Sequence, residues 1–304
     1  MRIGLIMSRK NIFSKQQVQA YLFGLLAITG FALTLPATKF AVPFFGVMAV
    51  GFGRAAIAGI LSLILLKATG SKFPKYKQIQ RLSIVAFGVV FGFPIFSAYG
   101  MKYVPASHGA IIIGILPLFT ALFGVLLAKE RPSLNYWLAG VGGSSTIISY
   151  SFFIGQGSLH PADLALIFAA LCGGIGYAEG ARLANELGSW RVICYALVLC
   201  LPLTIPLAIA TAEMNSSYNS LSAWLGLGYL SFISMFLGFF AWYKALRMGG
   251  IAKIGQLQLL QPFITVFVSY FLFGEQISTI MIFVLMIVLF CVNGTRRAKV
   301  ISNK

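Results

Sequence analysis

Carboxylates are scarce in this 304-residue sequence: six Asp and Glu stand against 23 Lys and Arg. Acid–base or nucleophilic catalysis needs clustered groups of that kind. With Glu130, Glu213 and Glu275 at loops or helix ends, no such cluster can be assembled, and the expectation is that the chain is not an enzyme. Histidine is rarer still. His108 and His160 are isolated, there is no His-Glu-x-x-His segment, and no cysteine pair has metal spacing, so a metal site or other cofactor has no support. The sequence has no Gly-x-x-x-x-Gly-Lys-Ser/Thr loop, and no connection between apolar stretches exceeds about 15 residues. A folded ATPase module has nowhere to sit. The four cysteines, Cys172, Cys194, Cys200 and Cys291, all fall inside apolar stretches, where they read as small packing residues rather than a disulfide framework.

What the sequence has in abundance is apolar length. Hydrophobic residues make up 59% of the chain, charged residues 10%, and the mean hydropathy is +0.90, outside the range of a water-soluble domain. A helix crossing the hydrocarbon core needs about 20 apolar residues. Ten stretches qualify: 18–38, 46–66, 82–101, 107–128, 135–154, 162–182, 190–211, 222–243, 252–273 and 277–294. The expected fold is therefore an all-α integral membrane protein of ten transmembrane helices. Residues 1–17 form a basic cytoplasmic leader, and 295–304 form a basic cytoplasmic tail. The first stretch is longer than a signal-peptide core and lacks a clear small-x-small site, so it reads as a retained helix.

A net charge of +17 raises the question of nucleic acid, but the basic residues are placed as orientation signals rather than as one patch, and no nucleic-acid partner is expected. With the N-terminus in the cytoplasm, 20 Lys and Arg fall on the cytoplasmic side, among them Arg9, Lys15, Lys75, Arg81, Lys129, Arg182, Arg191, Arg247 and Arg296. Only Lys39 and Lys102 fall opposite, and Arg54 lies within a span. Cytoplasmic loops carry an excess of Lys and Arg, which puts both termini inside.

An ungapped offset of 145 residues superimposes Pro117 on Pro262, Glu130 on Glu275, Lys102 on Arg247 and Ser133 on Ser278. The offset pairs the fourth stretch with the ninth, so each repeat, 18–154 and 162–294, holds five helices. An odd number inverts the second repeat relative to the first, the arrangement found in secondary transporters that alternate access to a midplane site.

The ten-helix layout with duplicated halves, the Y-x-x-K-Y-V-x-A-S run of Tyr99 to Ser107, the proline-centred fourth helix closing on Lys129 and Glu130, and its echo closing on Gly274 and Glu275 together resemble the drug/metabolite transporter superfamily, specifically its EamA-type ten-helix branch. The resemblance covers essentially the whole chain. It implies export or uptake of amino acids, related metabolites or drugs without ATP hydrolysis; the expected setting is the inner membrane, and the expected state a monomer or homodimer. It also implies a cavity walled by the first, third, fourth, sixth, eighth and ninth helices.

Candidate site residues follow from the cost of polarity in lipid. Glu179 is either a site for an ammonium group or a proton, or the i, i+3 partner of Arg182. Arg54 reads first as a structural cation bonded to backbone carbonyls, and second as a fixed charge that attracts a carboxylate or holds a counter-charge such as Glu179. Gln258 and Gln261 share a helical face and bind either solute or a neighbouring helix. Tyr99, Tyr177, Trp242 and Tyr243 are the aromatic candidates for the cavity wall, the alternative being the interfacial belt. Pro117 and Pro262 are candidate pivots. The functional expectation is a secondary carrier exporting an amino acid or related metabolite, driven by protons through Glu179 or running as facilitated diffusion. A passive pore, and uptake of a sugar, nucleotide sugar or cofactor precursor, are the alternatives.

Overall fold

The computed structural model describes residues 15–154, 160–213, 215, 217, 220–297 and 300–301. The leader up to residue 14, and Lys299 and Lys304 of the tail, lie outside them. Eight helices are long and apolar enough to cross a membrane: α1 (Lys15–Phe45), α2 (Val47–Ala68), α3 (Tyr76–Tyr103), α4 (Ala106–Ala128), α6 (Pro161–Leu187), α7 (Ser189–Ala210), α8 (Leu221–Gly249) and α9 (Ile251–Phe273). Two further helices complete the described chain, α5 (Leu134–Ile154) and α10 (Thr279–Arg297), the latter with a shorter apolar stretch, Thr279–Cys291. A two-residue antiparallel pairing sets β1 (Arg131–Pro132) against β2 (Val300–Ile301).

Several helices outrun the apolar stretches that announce them. The α3 helix begins at Tyr76, with a polar first turn and a half, and so carries Arg81 on a helix rather than in a loop. Hydropathy marks the hydrocarbon slab, whereas the backbone ladder continues through the headgroup region wherever side chains permit it.

Long-range hydrogen bonds gather the connections into two ends. At one, Gln16 Nε2 donates to Met248 O (3.4 Å), Arg191 Nε to Ser71 Oγ (3.2 Å) and Arg247 Nη1 to Ala184 O (3.3 Å). At the other, Lys39 Nζ donates to Met101 O (3.1 Å) and Val104 O (2.9 Å), and the Asn215 amide donates to Phe44 O (2.7 Å). Arg81, Arg182, Arg191 and Arg247 collect at the first end and Lys39 and Lys102 at the second, as the charge count expects.

The α6 helix is the most buried of the eight, because its small residues let neighbours close in on several sides. A Cβ on Gly88 of α3 would lie 2.5 Å from Cys172 O, and one on Gly174 would lie 2.7 Å from Phe119 Cβ of α4. Glycine at these points lets helix backbones touch, which is how packing is achieved where lipid tails are as apolar as the interface. Outward, Leu26, Ile64, Phe87, Leu138, Ile209, Phe271 and Phe290 are each more than half exposed. Only lipid suits a face of that composition.

Candidate functional site

Five helices lose α-helical regularity along their length: α4 does so at Gly114 and Ile115, and the breaks in the other four converge on one place. The α1 helix breaks at Leu33. The α3 helix has a π-helical stretch over Ala86–Gly92, and α8 has one over Leu230–Leu237. The α9 helix passes through a 3-10 stretch, Gln256–Leu260, before Gln261 and Pro262 restart it. Backbone groups freed at such depth must find protein partners. At the α1 break they do: Phe31 O accepts from Gln261 Nε2 (3.4 Å), and Ala32 O from Thr265 Oγ1 (2.6 Å).

These four breaks surround a central cavity. Its polar wall is Thr34, Arg54, Ser234, Gln261 and the hydroxyl-bearing Tyr177, and its apolar wall is Phe31, Val89, Phe93 and Phe239. Val89 and Ser234 come one from each π-helical stretch and are separated by the same 145 residues as the repeat. π-Helical turns widen a helix and re-aim its side chains, and they recur at functional sites. Arg54 is 2% exposed. Its Nη2 donates to Ser234 Oγ (2.8 Å), which is also hydrogen-bonded to Thr34 Oγ1 (2.8 Å). Its Nε has no acceptor, and no carboxylate lies within ion-pair distance of it among the described residues. The aromatic side is a continuous cluster: Phe31 stacks on Tyr177 at 6.4 Å and 10°, and Tyr177 meets Trp242 edge-on at 5.5 Å. Free space amounts to about 10 Å³, room for one water at most. In this conformation the site is closed.

Larger spaces open at both ends. One of about 570 Å³ is lined by Arg81, Lys129, Glu130, Arg182, Glu186 and Arg247. Opposite it, one of about 730 Å³ is lined by Lys39, Pro43, Met101, Lys102 and Glu213.

Of the residues singled out from sequence, Arg54, Tyr177 and Gln261 meet at the cavity. Trp242 and Tyr243 are fully buried immediately behind it, where the Tyr243 hydroxyl donates to Gly176 O (3.1 Å). Gln258 is 2% exposed, and neither atom of its amide has a protein partner. Tyr99 sits apart, 37% exposed and packed on Tyr103 at 5.0 Å. Glu179 is not the counter-charge of Arg54: it accepts from Arg182 Nη1 (2.6 Å) and from Arg81 Nε, and Arg81 also reaches Glu186. Pro117 and Pro262 occupy the first turn of restarted helices, where the missing N–H costs no hydrogen bond. The cavity wall differs from the expected one as well. The second helix contributes Arg54, while α4 contributes no lining residue, because Leu116 and Phe119 are packed instead against Gly173 and Gly174 of α6.

Two contacts were not foreseen. His108 Nε2 and Asp163 Oδ1 form a buried pair at 2.9 Å. More telling, Glu130, at the end of α4, accepts from the backbone N–H of Ile251 and Ala252 at the start of α9, both at 2.8 Å. Glu275, past the end of α9, accepts from the N–H of Ala106 and Ser107 at the start of α4, both at 2.9 Å. Donors and acceptors alike are related by 145 residues, and each glutamate follows a left-handed residue, Lys129 at φ 57° and Gly274 at φ 64°. Carboxylates at helix N-termini satisfy free N–H groups and the helix dipole together. The repeat had marked the two glutamates; their partners lie more than 120 residues away in sequence and carry no local signal.

Comparison with known proteins agrees with this geometry. The EamA-like transporter family model matches the chain twice, at residues 18–152 and 160–294. The uncharacterized transporter YdeK of Bacillus subtilis (strain 168) is 39% identical over 90% of this chain and 96% of its own length. The "Probable terminal-alkyne amino-acid exporter" of Streptantibioticus cattleyicolor is 24% identical over 82% of this chain and 84% of its own. A solved crystal structure shares the fold with a TM-score of 0.68, covering 91% of this chain and 98% of that one at 18% identity. This chain, a multi-pass membrane protein, belongs to the EamA-like transporter family.

Proposed function

We propose that the protein is a secondary carrier of small organic solutes, amino acids or related metabolites, and that it works by alternating access in the inner membrane. In this reading it has ten spanning helices in two inverted five-helix repeats, and it is not an enzyme. The observation that carries the reading is the reciprocal capping of α4 and α9. The end of each helix holds the start of the other, so the two run antiparallel, and the four N–H donors and two glutamates exchange under the 145-residue offset. Halves of one design facing opposite ways give two conformations of similar energy, one open to each side. Spaces at both ends of the protein, with a closed cavity between them, suit that cycle.

Net movement outward is the direction we favour, on the strength of the exporter among the relatives. Glu179 is already held by two guanidinium groups, so we place no proton step on it, and the carrier runs by facilitated diffusion or exchange. Counterflow in proteoliposomes preloaded with a mixture of amino acids tests the reading. A carrier gives saturable uptake of a labelled species that is accelerated by the same species on the far side. Flux that rises linearly with concentration and ignores the far side would overturn it in favour of a pore.

A further inference from the structure

All six carboxylates of the sequence lie in described residues, and each has a place outside the central cavity. Glu130 and Glu275 cap helices. Asp163 pairs with His108, and Glu179 and Glu186 are bound by arginines. Glu213 lines the space at the Lys39 end. The only full charge on the wall of the central cavity is therefore the guanidinium of Arg54. It sits on a helix seven residues beyond Val47, the first residue of α2, and one of its donors, Nε, has no acceptor.

A fixed cation in lipid is costly unless a partner answers it. The hydroxyls of Ser234 and Thr34 answer only part of this one. The edge formed by Nε and Nη2 presents parallel N–H groups, which match the two oxygens of a carboxylate. Facing it are the rings of Phe31, Phe93, Tyr177 and Phe239, which suit an apolar or aromatic body. Nothing on the wall offers a carboxylate to an ammonium group.

We infer that Arg54 is the anchor for the carboxylate of the transported solute, and that the substrates are organic acids with a compact apolar or aromatic body, in which an amino group is tolerated but not required. This rests on the carrier reading above for its transport consequence, while the binding claim stands on the cavity alone. The anionic solute neutralises Arg54 on binding. The loaded site therefore crosses the midplane with its charge compensated, and exchange of one acid for another is faster than return of the empty carrier.

The test uses the full-length protein and two readouts. In detergent, thermal stabilisation is measured with 3-phenylpropionate, 4-methylpentanoate, phenylalanine, phenylalaninamide and phenethylamine. The acids, with or without an amino group, raise the apparent Tm; phenylalaninamide and phenethylamine, which lack the carboxylate, do not. Arg54→Lys keeps the charge but loses the fork and weakens the response to acids at least tenfold. Arg54→Gln, if it folds, abolishes it. Equal stabilisation by phenethylamine, no response to any acid, or an undiminished response in Arg54→Lys overturns the inference. In proteoliposomes the same compounds are tested for exchange. Acids that bind but are not exchanged would defeat the carrier reading and leave the anchor standing. Exchange of phenethylamine but not of the acids would leave a carrier and defeat the anchor.

Discussion

Replacing Glu130 with Gln separates the role of its charge from that of its shape. The side chain is 4% exposed and accepts two backbone N–H groups at 2.8 Å at the start of α9. The amide retains one acceptor oxygen and turns an NH2 group toward the other N–H, so one donor of a buried helix terminus is left unsatisfied. Leaving a buried donor unmade costs about 1–3 kcal/mol, and losing a carboxylate from a helix N-terminus costs about a further 0.3–1 kcal/mol. A total of about 1.3–4 kcal/mol corresponds to a fall in Tm of roughly 2–6 °C for a chain of this size. Glu275 makes the matching contacts at 2.9 Å but is only half-buried, so water can take up the N–H group that Glu275→Gln releases, and its cost should be about half. The two sites lie at opposite ends of the helix pair, so the double variant should show the sum of the single effects to within about 0.5 kcal/mol. Thermal unfolding of the purified variants in one detergent measures all three. If Glu275→Gln proves as damaging as Glu130→Gln, or if neither moves the Tm by more than about 1 °C, the capping does not stabilise the pair.

Gly88→Ala would place a methyl group 2.5 Å from the carbonyl oxygen of Cys172, where only backbone movement can relieve it. We expect a loss of about 1–3 kcal/mol, read as a lower Tm, whereas Gly228→Ala, with nothing within 4 Å of the new Cβ, should be silent. Arg81→Gln removes the group that bridges Glu179 and Glu186, while Arg182→Gln removes only the more exposed partner of Glu179. Arg81→Gln should therefore cost more in Tm and expression, and the reverse ranking would show that Arg182 carries the cluster.

The local character of this protein was legible in its residues. Whether a stretch is apolar for about 20 residues is a property of that stretch alone, so the helices lie where hydropathy puts them, differing mainly where polar turns such as Tyr76–Arg81 extend them. Charge placement is equally local, and it sorts Arg81, Arg182, Arg191 and Arg247 to one end. The i, i+3 contact of Glu179 with Arg182 was readable for the same reason. The offset of 145 was visible as a pattern, although what it joined was not.

Everything that depends on which helices touch had to wait for the tertiary structure. Arg81 reaches Glu179 from 98 residues away, and Ser234 reaches Arg54 from 180. The π-helical stretches over Ala86–Gly92 and Leu230–Leu237 have no signature in hydropathy, since a widened turn and an ordinary one bury the same apolar residues. Tyr99 and Tyr177 are the same residue type in similar surroundings along the chain. Only helix packing puts Tyr177 on the cavity and leaves Tyr99 on an exposed face. Arg54 could be recognised from the sequence as a charge in the wrong solvent. That it faces hydroxyls and rings, with every carboxylate of the protein placed elsewhere, was decided by the fold.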